Sequence, residues 1–470
     1  MVLAGSLGYW AWAQPSALSA GASAGAAPAG SAGGGAGGGV QAADRLRVAD
    51  GQIVDGLGRQ VELRGFDASP LVAYPNPYSA GVAPLDDTDA AMMAAAGFDV
   101  VRLAISWALL EPRRGTFDGA YLDRVEGTVR MLERYGLRVV LDMHMGIGWG
   151  AQAQVPPWAS VSWVPDVRWF PIEPWTERIS PRPAAEEAHF WTSGDWQADF
   201  VEAWRFVASR FVGDPLLAGY DLFNEPHPLP MPPAVFEARY LWPFYARVID
   251  GIADVDPGHL FIVESTLWVG FPTAVTRLRA PNLVYSPHLY SGSLIPDPRG
   301  DVASAVSSEL ASRRREASSL PAALWVGELG IDQSSGDAAG WTRGALSALA
   351  DARVGWTWWQ WRQDGGWGIR STNGRHVDRQ ALRRLARPYV SAAPPGVRPQ
   401  TSGPEGLRVS VAPNHGGAPI VLGWPSDPLG TPSVQGSCLG SPPQRTGPGS
   451  YTLQLTPRQG CTLDIRPERQ

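Results

Sequence analysis

The chain is poor in cysteine, has no surplus of positive charge, and carries no apolar run long enough to cross a bilayer. A formal net charge of −6 over 470 residues leaves no basic excess to neutralise a phosphate backbone, which excludes nucleic acid as a partner. The two cysteines, Cys438 and Cys461, lie close to the C-terminus with no third cysteine or nearby histidine. That pattern argues against a zinc site and for one local disulfide. The first apolar run, Val2 to Trp10, is too short for a membrane span and has no lysine or arginine before it. With the small residues of Ala11-Trp12-Ala13 behind it, it reads as a secretory signal without its basic start. The Ala/Gly/Ser tract from Gln14 to Gly39 reads as a linker that carries no fold. Residues 1–44 are therefore set apart, and the mature chain is expected to be secreted or otherwise extracytoplasmic. What is plentiful is apolar and aromatic: 44% of residues are hydrophobic and 21 are tryptophan. The length suits one large domain plus a small one. The tryptophans fit carbohydrate or lipid handling better than a core, because an indole brings an N–H that a core must satisfy.

The stretch Ala218-Gly-Tyr-Asp-Leu-Phe-Asn-Glu-Pro-His-Pro228 organises the rest. Gly219 to Phe223 reads as a short strand covered on both faces, ending in Asn224 and Glu225. Pro226 cannot donate to a ladder and stops the strand one residue after the acid. A second apolar run, Ala323-Leu-Trp-Val-Gly-Glu-Leu-Gly330, ends in Glu328. Alone, either acid could be an ordinary loop residue. Two acids at the carboxyl ends of parallel barrel strands would share one face, and paired carboxylates there are the equipment of glycoside hydrolysis.

Between these strands the pattern alternates. A hairpin signal at Asp55-Gly56 leads into Val61 to Phe66, read as a bottom cap and the first barrel strand. Helix Asp86 to Ala96 precedes strand Val100 to Ser106, and helix Ala120 to Tyr135 precedes Val139 to His144. Helix Asp195 to Phe211 precedes the Glu225 strand, and helix Phe236 to Val255 precedes Leu260 to Glu264. Strand Leu283 to His288, helix Val302 to Ser318, the Glu328 strand, helix Trp341 to Arg353 and strand Gly355 to Trp361 complete eight units, with helix Arg379 to Arg387 closing the ring. The expected fold is α/β, a (β/α)8 TIM barrel over residues 45–390, followed at 391–470 by a small C-terminal β-sandwich rich in Pro, Gly, Ser and Thr. The longest irregular stretch, Met145 to Gly194, carries six tryptophans and is expected to be functional.

Polar residues gather at the strand ends. Arg102, flanked by Val101 and Leu103, needs a carboxylate if buried, and Glu328 is the natural partner. Asp142 alternates away from its neighbours and is expected to orient another group. His144 and His288 are either site residues or satisfied structural histidines. Trp359 or Trp361 could stack on a sugar face, with Trp358 a core plug.

Arg102, His144, the Asn224-Glu225-Pro226 strand, His288 with Tyr290, Glu328 and the tryptophans of strand eight together resemble the signature of family 5 glycoside hydrolases of clan A. Within that family, Gly136 to His144, Gly219 to Pro226 and Leu324 to Glu328 are similar to endoglycoceramidases. One departure is that those enzymes usually read His-Gln-Asp after strand three, where His144 here is followed by Met145 and Gly146, so the identity of the glycan stays open. The resemblance implies retaining double displacement, with Glu328 as nucleophile and Glu225 as acid and then base, and no metal or organic cofactor. It assigns substrate binding to Arg102, His144, Asn224, His288, Tyr290, Trp359 and Trp361. An ionised Glu328 is expected to raise the pKa of Glu225. The implied substrate is a glycosphingolipid cleaved between glycan and ceramide; an endo-β-glucanase, an exo-β-glucosidase and a non-catalytic carbohydrate- or lipid-binding barrel are the rivals. The lipid reading adds a membrane or micelle surface as partner, met by an apolar rim of Leu229 to Pro233, Leu241 to Tyr245 (Trp242 and Phe244 above all) and the tryptophan-rich loop.

Overall fold

A computed structural model describes residues 45–468 except 74–81, 146–153, 166–180, 228–229, 267–277, 295–300, 404–405, 414, 416 and 457–459. The signal-like segment and linker at 1–44 lie outside the described residues, as do Trp149, Trp169 and Trp175 of the long loop and Leu229 of the expected rim.

Apolar runs bounded by turn formers become eight parallel strands that close on themselves. Strands one to five are Arg64–Leu71, Val100–Ile105, Arg138–Met143, Leu217–Asp221 and Leu260–Val263, each hydrogen-bonded to the next. Strand six is broken into Leu283–Tyr285 and His288–Leu289, and strand seven into Ala323–Leu324 and Val326–Leu329. The lower pieces pair with each other, as do the upper pieces, and strand eight, Trp356–Trp358, joins strand seven to strand one. This is the expected (β/α)8 barrel, with strand and helix ends moved by a few residues. The fourth barrel helix is the main irregularity. Pro243 offers no N–H to the turn before it, and the chain widens into a π turn over Glu237–Leu241 before continuing as Trp242–Ala253.

Alternation along the strands sorts their side chains. Val100, Val140, Ala218, Leu260, Ile262, Val284 and Trp325 fill the lower interior, joined by Leu46, just before the N-terminal hairpin, and Ile53 within it. Two residues further along the same strands, the inward positions become Arg102, Asp142, Asp221 (after Gly219), Glu264 and Ser286, all buried. The interior thus changes from apolar to charged in one layer. Strand seven reaches that layer by a shift of phase. Trp325 belongs to the interior cluster, whereas Val326 and Leu329 belong to the core between barrel and helices. The register shift between Val326 and Leu329 is what turns Glu328 inward. Gly327 sits at that shift, where a Cβ would lie 2.4 Å from Ser286 Oγ.

The expected apolar rim does not form at Trp242 and Phe244. They are 3% and 0% exposed, Phe244 against Phe190, Trp191 and Phe223, and Trp242 beside Tyr245. Their spacing at i, i+2 hid a wide apolar helix face that points inward between barrel and helices.

Beyond the barrel, strands Tyr389–Ala393, Ile420–Gly423, Gln444–Gly447 and Ser450–Leu453 form one antiparallel sheet, and Val397–Gly403, Gly406–Val411, Pro432–Gln435 and Cys461–Pro467 form another. Val409, Ile420, Leu422, Trp424, Leu453, Leu463 and Ile465 make their shared core. The first sheet continues through Gln60–Val61 into the N-terminal hairpin, because Ala392 pairs with Val61. The hairpin is therefore both the cap of the barrel and the edge of the second unit's sheet.

Cys438 and Cys461 are bonded, with Cα atoms 5.7 Å apart. A loop closed over 23 positions contributes about 3 kcal/mol by restricting the unfolded chain. Replacing both cysteines by serine is expected to lower the stability of the C-terminal unit by that order. Urea unfolding of the oxidised wild type against the double variant checks it, and coincident transitions would contradict it.

Candidate active site

One guanidinium holds the upper barrel together. Arg102, 1% exposed, directs Nε to Asp221 at 2.8 Å, Nη1 to Glu328 at 2.7 Å and Asp67 at 3.3 Å, and Nη2 to Asn224 Oδ1 at 3.0 Å. Nη2 also lies 3.1 Å from Asp142 and 3.2 Å from Glu264. Strand register produces this: Asp67 is directly opposite Arg102 on strand one, and Asp221 is opposite Asp142 one strand further on.

Above this layer two histidines face the opening. His144 Nδ1 is 2.8 Å from Asp142 Oδ2, which confirms Asp142 as an orienting group, and its ring stacks on Trp359 with centroids 5.4 Å apart. His288 stands among three acids. Its Nδ1 is 2.9 Å from Glu225 Oε1 and 3.4 Å from Glu328 Oε2, and its Nε2 is 3.3 Å from Glu264 Oε1. Tyr290 donates to the other side of the pair, 2.9 Å from Glu328 Oε2. One ligand atom each from Glu225, His288 and Glu328 fit within 4.8 Å of one another.

Exposure separates the acids. The Glu225 side chain is 13% exposed, against 5% for Glu328, 4% for Glu264, 2% for Asp67 and none for Asp142 and Asp221. Glu225 is also held at φ 44°, a left-handed backbone that a glutamate adopts only when its surroundings impose it.

Burial lifts the carboxyls of the lower layer. Asp67 is pushed well above the usual range by burial and by Glu328, Asp221 is raised to about 6, and Glu264 to about 8, in each case against the opposing charge of Arg102. Burial depresses His288, but Glu264, Glu328 and Glu225 together outweigh it and hold the imidazole well above its ordinary value, so it stays protonated. Glu225 moves opposite to expectation. Burial raises it, but the hydrogen bond and charge of His288, with His227 and His144 nearby, outweigh burial and hold it below the ordinary carboxylate value. In the free site the proton between these two groups rests on the imidazole.

The comparisons with known proteins follow this geometry. Residues 54–365, strands one to eight, match the Cellulase family, glycosyl hydrolase family 5. The chain belongs to glycosyl hydrolase family 5. Among curated relatives, endoglycoceramidase I of Rhodococcus hoagii is 34% identical over 189 residues, 38% of this chain and 37% of that protein. Endoglycoceramidase of Cyanea nozakii is 26% identical over 264 residues, 48% and 52% of the two chains, so this chain spans about half or less of the curated relatives it matches. Among solved structures, endo-glycoceramidase II from Rhodococcus sp. superposes with a TM-score of 0.76 at 26% identity, over 90% of this chain and all of that one. An endogalactoceramidase does so at 0.72 and 29% over the same share.

Within this family 5 barrel the sequence-selected residues His144, Glu225, His288, Tyr290, Glu328 and Trp359 meet above the carboxyl ends of the strands, with Arg102 and Asn224 buried among them. Two assignments change. Trp361 is fully buried, donates to Asp89 Oδ1 at 2.7 Å and packs edge-on against Phe66, so it is a structural residue and no sugar platform. Arg102 is enclosed by its acids, with no face toward the opening, and acts by positioning them. Trp358 is the core plug, lying against Trp341. Asn224 is spanned by protein on both sides, accepting from Arg102 and donating to the Met145 carbonyl at 2.8 Å. Asp67, Asp221 and Glu264 escaped the sequence reading. Asp221 ends strand four and Glu264 directly follows strand five, the same signal that selected Glu225 and Glu328, while Asp67 follows the apolar run Val61 to Phe66 and lies in the middle of strand one.

Asp67, Asp221 and Glu264 are raised in the fold, and so is His288. Between about pH 5 and 8 the folded chain therefore keeps protons that the unfolded chain releases, and stability falls as pH rises through that window. Glu225 is depressed and contributes in the other sense, but only as pH falls toward the acid range. The unfolding free energy is expected to be lower at pH 8 than at pH 5.5, with Asp221→Asn reducing the difference. Urea unfolding at the two pH values checks it, and equal stability would contradict the proton placement.

Proposed function

We propose that this protein is a retaining β-glycosidase that cleaves the bond between glycan and ceramide in glycosphingolipids, with Glu328 as nucleophile and Glu225 as acid and then base. The observation that carries the reading is the compact Glu225, His288, Glu328 group. A nucleophile and an acid that flank the scissile bond need carboxyls about 5 to 5.5 Å apart, with no room for an intervening water. Tyr290 and Arg102 each donate to one oxygen of Glu328, which fixes the carboxylate toward the mouth. Attack by Glu328 on the anomeric carbon breaks the glycosidic bond, and the departing oxygen takes a proton from Glu225. Glu225 draws that proton from His288 Nδ1, one hydrogen bond away, and passes it on, so the imidazole ends neutral and Glu225 ends ionised. Ester formation removes the charge of Glu328. Glu225, now ionised, then draws a proton from the water that hydrolyses the ester. Trp359, half-buried and stacked on His144, is placed to carry a sugar face.

The lipid part of the reading is supported by the relatives. The Rhodococcus sp. enzyme has been solved as a lactosyl-enzyme intermediate and as a ganglioside GM3 complex. In this chain, three of the exposed large apolar residues, Trp163 at 75%, Leu294 at 58% and Val235 at 49%, lie in connections that leave the carboxyl ends of strands three, six and four. They replace Trp242 and Phe244 as the apolar contacts of a micelle or membrane surface. The disulfide fits an exported protein.

A fluoroglycoside inactivator is expected to label Glu328. Glu225→Ala should retain glycosylation by a dinitrophenyl glycoside while losing about a hundredfold or more on substrates with poor leaving groups. Labelling elsewhere with full inactivation, or equal loss on both substrates, would refute the roles.

Trp163→Ser with Leu294→Ser should slow turnover of micellar glycosphingolipid at least about tenfold more than that of a soluble aryl glycoside. Equal losses, or faster cleavage of cello-oligosaccharides than of any glycolipid, would replace the lipid reading by a polysaccharide one.

A further inference from the structure

Glu264 closes strand five without reaching the mouth, yet it touches three parts of the machinery. Its Oε2 accepts from the backbone N–H of Glu225 at 3.0 Å. Its Oε1 lies 3.2 Å from Arg102 Nη2 and 3.3 Å from His288 Nε2. Its own backbone N–H donates to the Tyr245 hydroxyl at 3.3 Å, which in turn donates to the Phe223 carbonyl at 3.4 Å. Tyr245 comes from the fourth barrel helix, so that helix fixes the end of strand five beside the end of strand four.

We propose that Glu264 is a positioning residue for the general acid, holding Glu225 through its backbone and, from the Nε2 side of the imidazole, favouring the protonated ring whose Nδ1 proton His288 supplies to Glu225. The inference rests on the assignment of Glu225 as acid given above. Two geometric facts carry it. The Glu225 backbone is left-handed, and the acceptor that receives its N–H is Glu264. The imidazole lies between two carboxylates, Glu225 at Nδ1 and Glu264 at Nε2, so it can give up its Nδ1 proton and keep the other facing Glu264. The transfer balances. The Nδ1 proton passes to Glu225 and from it to the leaving oxygen, which leaves Glu225 ionised and the imidazole neutral with its remaining proton on Nε2. In the second half-reaction the water proton returns through Glu225 to Nδ1.

The charged and titratable groups facing Glu264 are Arg102 on strand two, Asp221 on strand four, His288 on strand six and Tyr245 on the helix. Glu264 titrates near 8, and its charge is among the causes that raise His288. As pH rises through that value, wild-type Glu264 becomes anionic and retains the imidazole proton. A glutamine there cannot. Glu264→Gln should therefore move the alkaline limb of kcat/KM to lower pH by about half a unit or more. It should also cost about tenfold or more in kcat on aryl β-glycosides with poor leaving groups, and much less in the glycosylation step with a dinitrophenyl leaving group. Glu264→Asp keeps the charge but is one methylene too short to span Glu225 and His288, and should show the same dependence on leaving group if the glutamine variant fails to fold. Uniform loss across leaving groups with an unmoved alkaline limb would make Glu264 merely structural and overturn the inference, as would full activity in both variants. Glu225→Ala in the same assay separates two failures. Absence of leaving-group dependence there removes the acid assignment and this inference with it; its presence there and absence in the Glu264 variants removes this inference alone.

Discussion

The upper half of this barrel depends on five carboxylates sharing one guanidinium. Removing a buried charge partner typically costs about 3 to 5 kcal/mol, and here one cation serves Asp67, Asp142, Asp221, Glu264 and Glu328. Its planar fork offers five N–H groups in fixed directions, enough to reach four strands and Asn224 together. A lysine offers three donors from one point and could not span them. The chain contains no lysine at all; its 39 basic side chains are arginines. Burial, with too little positive charge to offset it, holds Asp67, Asp221 and Glu264 high, while Glu225, next to a cationic imidazole, is held low.

The layering of the barrel interior makes that arrangement affordable in structural terms. The lower interior is apolar and includes Leu46 and Ile53, so the surroundings beneath Arg102 are of low polarity. Electrostatic attraction is correspondingly strong in the layer above. The same hairpin is built into the sheet of the C-terminal unit, and the closure of the barrel is thereby tied to the folding of residues far along the chain. Trp361 belongs to this frame as well: with Arg362 and Arg370 it satisfies both oxygens of the buried Asp89, joining strand eight to the first barrel helix.

Much of this was legible in the amino-acid sequence, for identifiable reasons. Eight apolar runs separated by helical periodicity specify a barrel because a strand covered on both faces has few other homes. Glu225 and Glu328 were legible because a lone acid ends an apolar run and Pro226 halts one of them. The same signal at Glu264 and Asp67 was passed over, and Asp221 was hidden inside a run read only for its end. Phase was not legible. Nothing in Leu324 to Glu328 announces the register shift that turns Glu328 inward, and nothing in the tryptophan-rich run at strand eight separates Trp359, half-buried beside His144, from Trp361, fully buried against Phe66. Trp242 and Phe244 misled because their helix is apolar over so wide a face that composition does not distinguish rim from core.

The departure at Glu225 has the most to say about mechanism. A general acid whose carboxyl sits low in the free site looks unsuited to its task if the side chain is judged alone. It is suited if the acid is the hydrogen-bonded pair, because a proton on His288 Nδ1 is 2.9 Å from Glu225 Oε1 and is available on demand. An ionised Glu225 is the form required in the second half-reaction, once esterification has removed the charge on Glu328. A group held midway between the two roles by a neighbouring imidazole needs only a small change in local charge to switch between them. That change is supplied by Glu328, whose Oε2 stands 3.4 Å from the same nitrogen and whose charge is lost and restored in every turnover.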